Sequence, residues 1–172
     1  MDRELKFLGI CREVALLSKD SVKVGAVIMT HDLNILSAGY NGPPRGVIDS
    51  PERFEKPLKA YFSAHAEENA IAQAARNGVK LAGSTILITG RPACATCTRL
   101  IIQAGIKRVI HPRLKAAKLA ESKWHDDWAY SRTMFFEANI EVIEYDPNHN
   151  THQTDVCRFN YAQDRSAWGP EL

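Results

Sequence analysis

Apolar positions along this chain follow helical spacing in some segments and the alternation typical of strands in others. Residues 2–18 carry charged side chains between apolar ones at helical spacing, namely Leu5, Leu8, Val14, Ala15 and Leu17. This pattern predicts an amphipathic helix that covers one face of a sheet, with Cys11 as a small buried side chain on it. A reactive thiol at Cys11 is the alternative. Residues 24–30 and 35–40 are short β-rich runs joined by four polar or turn-forming residues, and they predict an antiparallel hairpin.

Helical and strand patterns alternate through the second half of the chain. An alanine-rich helix is predicted over residues 65–77, and Gly78 provides its C-terminal cap. The later segments predict strands at 84–89, 107–111 and 140–145 and helices at 94–104 and 126–138. The first of these strands, the helix after it and the next strand have lengths that suit a right-handed parallel crossover. We therefore expect an α/β fold with a five-stranded mixed sheet and helices on both faces.

One long segment, residues 41–63, fits neither pattern and contains several prolines and glycines. Loops of this length in a small domain usually have a function. A surface excursion without a function is the alternative.

Length and composition limit the classes of function. The 172 residues suit one domain, which we place at residues 1–145, followed by a polar tail at 146–172. The net charge is only +2, and the sequence lacks the basic stripe that would indicate binding to duplex nucleic acid. The sequence shows no signal peptide and no apolar run of about twenty residues, so we expect a cytoplasmic protein without a membrane partner. Two of the four cysteines suit a metal better than a disulfide, which favours a reducing compartment.

The chemistry is concentrated in two short motifs. His65 is followed two residues later by Glu67, and Cys94 and Cys97 form a Cys-x-x-Cys pair after Pro92. Catalytic zinc commonly takes three protein ligands from histidine, cysteine and carboxylate and leaves one position for water. Taken singly, the cysteine pair could be a structural zinc knuckle or a redox pair, and the histidine a cap or core residue. Together they resemble the signature of zinc-dependent nucleobase deaminases.

Helix stereochemistry explains how these residues meet. Residues two apart point to nearly opposite sides of a helix, so His65 and Glu67 can serve one metal only if the helix begins at His65. Cys94 and Cys97 are three apart, and the first turn of a second helix directs both to one point. The positive ends of the two helices favour thiolates at the metal. Glu67 is then free to carry a proton between water and substrate.

Residues 5–145 resemble the cytidine deaminase-like superfamily and, within it, the deoxycytidylate (dCMP) deaminase family. The resemblance rests on four blocks that occur in the family's order: residues 23–28, 39–42, 65–70 and 101–106. It implies a three-layer αβα sandwich, commonly a homohexamer. It also implies hydrolysis of dCMP to dUMP with release of ammonia, a reaction that feeds thymidylate synthesis.

Residue by residue, the resemblance implies roles at each candidate position. His65, Cys94 and Cys97 would bind zinc, and Glu67 would shuttle protons. For the substrate, it implies a sugar contact from Asn41, a base contact from the Ala66 backbone, and phosphate contacts from the segment that contains Lys123, Trp124 and His125. A helix-capping segment with a core tryptophan is the alternative for that segment. Regulation by dCTP and dTTP, with magnesium accompanying the triphosphate, would involve the loop of Gly39, Tyr40, Asn41 and Gly42.

The sequence departs from the family pattern at one position, and two alternative functions remain. The family usually has proline directly before the first cysteine, whereas here Ala93 lies between Pro92 and Cys94, a change that could shift a main-chain group of the pocket. One rival is a deaminase of a related substrate, such as dCTP, a modified dCMP, cytidine or an adenosine in transfer RNA. The low net charge argues against RNA. The other is a non-catalytic, zinc-stabilised nucleotide-binding module, which would not need Glu67.

Overall fold

The computed structural model describes residues 3–113, 124–147 and the backbone of 156–159. A 3₁₀ turn at Arg3–Phe7 leads into the first helix. The α-helices are α1 (Leu8–Leu16), α2 (Lys59–Phe62), α3 (Ala66–Arg76), α4 (Ala95–Gln103) and α5 (His125–Glu137). The strands are β1 (Gly25–Met29), β2 (Ile35–Tyr40), β3 (Thr85–Ile88), β4 (Arg108–Pro112), β5 (Glu141–Tyr145) and β6 (Val156–Phe159). The predicted strands and helices are confirmed to within a few residues at their ends.

The strands form one mixed sheet in the order β2-β1-β3-β4-β5-β6. Strand β1 pairs antiparallel with β2 and β3, whereas β3, β4 and β5 run parallel. The predicted hairpin and the predicted parallel crossover through α4 are therefore confirmed. The structure adds a sixth strand to the five predicted, because β6 pairs antiparallel with the outer edge of β5. This strand lies in the segment interpreted as a polar tail, where only four residues form the strand.

Helices cover both faces of the sheet, as predicted. On one face, α1 packs Leu8 and Cys11 against alternate strand residues such as Val27 and Leu87. On the other face, α3, α4 and α5 pack against the intervening strand residues, which include Ala26, Ile28, Ile86, Val109 and Val142. Because successive side chains of a strand point to opposite faces, two separate cores result. The arrangement is the three-layer αβα sandwich expected from the resemblance.

The first helix departs from its predicted pattern at one end. Leu16, the last residue of α1, and Leu17 after it are 60% and 64% exposed, so the buried apolar face extends only as far as Ala15. Cys11 is fully buried, and its thiol donates to the carbonyl oxygen of Leu87 at 3.4 Å. Burial raises the pKa of Cys11 to about 12. The interpretation of Cys11 as a small core residue is confirmed.

The segment 41–63 is less irregular than its sequence suggests. It contains a 3₁₀ turn at Pro51–Phe54 and the short helix α2. Its end returns to its start, since Gly42 and Ala64 exchange two backbone hydrogen bonds of 3.0 Å. The segment is thereby held against the beginning of α3.

Within the described residues, every helix is too short or too polar to cross a bilayer.

Candidate active site

His65 is the residue immediately before α3, and its backbone is extended with φ −75° and ψ 162°. Its N–H donates to the carboxylate of Glu68 at 2.6 Å, so the first turn of the helix is closed by a side chain. The side chains of α3 that face the sheet are the small residues Ala66, Ala70 and Ala74, each fully buried. They let the helix approach the sheet closely. Because His65 directly precedes α3, its imidazole lies at the N-terminus of this helix, as predicted from the sequence.

Cys94 occupies the same position at the start of α4. Its backbone is extended with φ −78° and ψ 168°, and its sulfur accepts the N–H of Cys97 at 3.5 Å. Cys97 lies in the first turn of the helix and is completely buried. The two sulfurs therefore lie on the same side of the helix end.

The three side chains meet at one point. His65 Nδ1 lies 3.4 Å from Cys94 Sγ and 3.3 Å from Cys97 Sγ. The three potential ligand atoms are all within 4.8 Å of one another. Ligand bonds of about 2.0–2.3 Å in a tetrahedral zinc site require separations of this size. Among the residues that the structure describes, these three form the one cluster of its kind, so the donor set fits zinc and leaves a coordination position for a small molecule.

Local electrostatics favour a thiolate at Cys94. The hydrogen bond from Cys97 and the interaction with His65 lower the pKa of Cys94 to about 4. In return, Cys94 raises the pKa of His65 to about 9. The N-termini of α3 and α4 add positive potential to the same point. A doubly positive ion would strengthen this preference for deprotonated sulfur.

Glu67 lies in the first turn of α3, two residues after His65, and is 3% exposed. Burial raises the pKa of this carboxyl to about 7. A group with such a pKa exchanges protons readily near neutral pH.

A cavity of about 550 Å³ opens beside these residues. Its wall includes the metal-binding candidates His65 and Cys94, the carboxyl-bearing Glu67, and the aromatic residues Trp124 and Trp128. A volume of this order is typical of sites for small molecules. The arrangement therefore combines a three-ligand metal position, a proton carrier and aromatic walls for a planar ring.

Comparison with known proteins identifies the family. A family model described as the cytidine and deoxycytidylate deaminase zinc-binding region matches residues 1–112 of the chain. The chain belongs to the cytidine and deoxycytidylate deaminase family. The recognition made from the sequence motifs is thus confirmed.

Individual members of this deaminase family are similar over most of their length. A protein of Aliivibrio fischeri named "uncharacterized deaminase in luxG 3′ region" is 41% identical over 138 residues, which cover 80% of this chain and 89% of that protein. Mouse deoxycytidylate deaminase is 33% identical over 163 residues, which cover 90% and 85% respectively. The crystal structure of dCMP deaminase from cyanophage S-TIM5 in complex with dCMP and dUMP aligns with a TM-score of 0.63 and 25% identity, over 84% of this chain and 98% of that one.

Asn41 of this deaminase lies at the cavity, as expected of a residue that meets the sugar, but most of its amide is already bonded. Its Nδ2 donates to Asp20 at 3.1 Å and to the carbonyl oxygen of Val22 at 2.9 Å. Its Oδ1 accepts the N–H of Val24 at 2.8 Å. One lone pair of Oδ1 remains for a ligand. The sugar contact stays a prediction, and the observed role of Asn41 is to hold Asp20 and the chain before β1.

The remaining predicted substrate residues are distributed differently. Ala66 and Trp124 line the cavity. His125 is not among the lining residues, and its Nδ1 lies 3.0 Å from the Asp126 carboxylate. Lys123 lies outside the described residues.

The predicted effector loop has clear structural contacts. Gly39 belongs to β2 and lies directly against the backbone of α3. The carbonyl oxygen of Tyr40 accepts a hydrogen bond of 2.8 Å from Asn69 of the same helix, and Gly42 pairs with Ala64. These contacts fix the loop beside the start of α3. A role in effector binding stays a prediction.

Ala93, the departure from the family pattern, is buried in the core. Its carbonyl oxygen accepts a hydrogen bond of 3.0 Å from Ser131 of α5, and the same hydroxyl lies 2.5 Å from Thr98 Oγ1. The main chain before Cys94 is thus held by α5. Its influence on substrate preference stays a prediction.

Sequence reasoning missed several residues of the cavity wall, which are Asp20, Lys56, Lys59, Arg91 and Trp128. Lys56 and Lys59 belong to the long segment for which the sequence predicted a function. The sequence signal available for Arg91 was its position three residues before Cys94. Asp20 lies in an ordinary polar turn, and no sequence pattern marked it.

Proposed function

We propose that this deaminase hydrolyses dCMP to dUMP and ammonia. The observation that carries the proposal is the convergence of His65, Cys94 and Cys97, of which His65 and Cys94 line one cavity together with the buried Glu67. The similarity to mouse deoxycytidylate deaminase over 90% of this chain supports a cytosine nucleotide as substrate.

In this proposal His65, Cys94 and Cys97 would hold zinc. When bound there, zinc would lower the pKa of a water molecule to about 7 and so would supply a nucleophile near neutral pH. Glu67 accepts a proton from the attacking water and delivers it to the ring nitrogen next to the amine-bearing carbon. A carbon–oxygen bond forms at this carbon. Glu67 then takes the proton of the new hydroxyl group and passes it to the amine; the carbonyl forms as the carbon–nitrogen bond breaks, and ammonia leaves.

The other cavity residues orient the substrate. Trp124 and Trp128 offer apolar ring faces for the base, and the Ala66 backbone is proposed to contact the polar edge of the base. Asn41 retains one acceptor position for the sugar. Packing of these side chains around the bound substrate would keep bulk water from the reacting carbon.

Finer properties rest on the family resemblance. We propose a cytoplasmic homohexamer whose activity responds to dCTP and dTTP, with magnesium accompanying the triphosphate at the loop Gly39, Tyr40, Asn41 and Gly42. The fixed geometry of this loop beside α3 supports such a role, because a ligand there would act on the helix that directly follows His65.

The test is ammonia release by the zinc-loaded protein from dCMP, CMP, deoxycytidine, dCTP and 5-substituted dCMP, each with and without dCTP or dTTP as effector. Preference for dCMP supports the proposal. Preference for another member of the panel would assign the related-substrate alternative. A zinc-loaded protein that releases no ammonia from any of them would contradict dCMP deamination and favour a binding module.

A further inference from the structure

The cavity wall carries more positive than negative charge. Its cationic side chains are Lys56, Lys59 and Arg91, and its carboxylates are Asp20 and Glu67. Such a set of charges favours an anionic ligand if the cations are not already neutralised by the protein.

Lys59 is neutralised. Its Nζ lies 2.5 Å from Asp20 Oδ2 and 2.7 Å from Oδ1, and the Asp20 side chain is completely buried. Asp20 also accepts hydrogen bonds from Asn41 Nδ2 and from the Val22 N–H. Burial by itself raises the pKa of Asp20, but the hydrogen bonds from Lys59 and Val22 outweigh it and lower the pKa below its usual value. The Lys59–Asp20 pair is therefore neutral as a whole and provides no net positive charge for a ligand.

Arg91 and Lys56, in contrast to Lys59, are not neutralised by a carboxylate of the described residues. Among the described residues, neither side chain has a carboxylate within salt-bridge distance, and both are exposed at the cavity. They come from separate segments, since Arg91 precedes Cys94 by three residues and Lys56 lies in the segment 41–63.

The base of Arg91 is fixed by its neighbours. Its N–H donates to the carbonyl oxygen of Thr89 at 3.0 Å. The preceding Gly90 has φ +81°, and a Cβ there would lie 2.8 Å from the carbonyl oxygen of Lys23. This turn is therefore packed tightly between β3 and the chain before β1, so the Arg91 guanidinium extends from a defined point.

We propose that Arg91, assisted by Lys56, binds the 5′-phosphate of the substrate and makes the site select a nucleoside monophosphate over the nucleoside. The inference rests on the proposed function and assigns the phosphate to residues outside the segment predicted from the sequence. A phosphate monoester carries close to two negative charges at neutral pH, and a guanidinium binds it through two parallel hydrogen bonds. The remaining carboxylate, Glu67, lies beside the metal position, which directs the phosphate away from it and towards Arg91.

The experiment compares kcat/KM for dCMP and deoxycytidine in the zinc-loaded protein and its variants. Arg91→Ala should lower kcat/KM for dCMP by about 10- to 100-fold and affect deoxycytidine far less, because only dCMP carries the phosphate. Lys56→Ala should lower the dCMP value by about 3- to 10-fold. Arg76→Ala and Lys80→Ala are matched controls, since each removes an exposed cation that does not line the cavity. Equal losses for both substrates, or an unchanged value for dCMP, would overturn the proposal. Deamination of dCTP as efficient as that of dCMP would overturn the selection for a monophosphate.

Calorimetric binding of dUMP separates this inference from the proposed function. If the wild-type protein deaminates neither substrate, the proposed function fails, and the binding data alone decide the role of Arg91. Binding of dUMP that weakens by about 10- to 100-fold in Arg91→Ala, and competes with inorganic phosphate, supports the phosphate site. Equal binding by the wild type and Arg91→Ala, or no binding by either, overturns it.

Discussion

The carboxylate of Asp127 accepts a hydrogen bond from the backbone N–H of Ala95 at 2.9 Å. Ala95 is the first residue of α4 and directly follows Cys94. Asp127 belongs to α5, which also holds the carbonyl oxygen of Ala93 through Ser131. Cys94 is therefore flanked on both sides by residues whose backbone is bonded to α5. A carboxylate at this place also complements the positive end of α4.

Removal of the hydrogen bond between Asp127 and Ala95 should loosen the start of α4. Asp127→Ala is expected to lower the free energy of unfolding by about 1 kcal/mol, the usual cost of losing a helix cap. The same loss should speed release of zinc to a chelator by about fivefold, because Cys94 is less well fixed. Urea unfolding and chelator kinetics measure the two effects. Asp126→Ala is the control, since its side chain is 86% exposed and contacts only His125 among the hydrogen bonds described. Similar zinc release from both variants would contradict this role of Asp127.

Glu67 should be needed for turnover but not for metal binding. Glu67→Gln keeps the shape of the side chain and removes its ability to carry a proton. We expect kcat to fall by about 10²- to 10⁴-fold, while zinc content stays near that of the wild type. Steady-state ammonia release and metal analysis of the same sample provide the two values. A zinc-replete Glu67→Gln protein with nearly normal turnover would remove Glu67 from the proton path.

The two core cysteines on opposite faces of the sheet should respond differently. Cys97→Ser replaces the proposed thiolate ligand by a much poorer one, so purified protein should contain substantially less zinc. Cys11→Ala is the matched control, because Cys11 is equally buried but lies in the core beneath α1. Its zinc content should equal that of the wild type. Unchanged zinc in Cys97→Ser would exclude Cys97 as a ligand.

Gly39 should tolerate no side chain. A Cβ at this position would lie 2.4 Å from the Ala70 nitrogen and 2.5 Å from the Ala66 carbonyl oxygen, both backbone atoms of α3. Gly39→Ala must therefore push α3 from the sheet, and we expect a loss of about 1–3 kcal/mol in unfolding free energy. Because His65 precedes this helix, zinc affinity should fall as well. Gly9→Ala is the contrast, since nothing lies within 4 Å of a Cβ there and alanine favours the helix by about 0.5–1 kcal/mol. Thermal unfolding of the two variants should therefore shift in opposite directions.

The sequence by itself determined the elements and the three candidate metal ligands. Strand alternation and helical spacing placed five strands and the main helices, because burial on a defined face imposes these periods on the sequence. The positions of His65, Cys94 and Cys97 followed from local rules as well. The side chain of a residue that precedes the first turn of a helix lies beside the free N–H groups of that turn. Glu67 was recognised by its spacing from His65.

Only the tertiary structure decided what surrounds that cluster. Arg91, Lys56 and the pair of Asp20 with Lys59 come together from three segments, and polar residues in turns carry no periodicity that reveals their partners. The same applies to the bonds of Asn41, whose amide is held by Asp20 and Val22, and to the support of Cys94 by Asp127. Strand β6 was missed because four residues with one short alternation cannot be distinguished from a polar tail, and its pairing depends on the exposed edge of β5. These relationships depend on which distant segments the packing of helices on the sheet brings into contact.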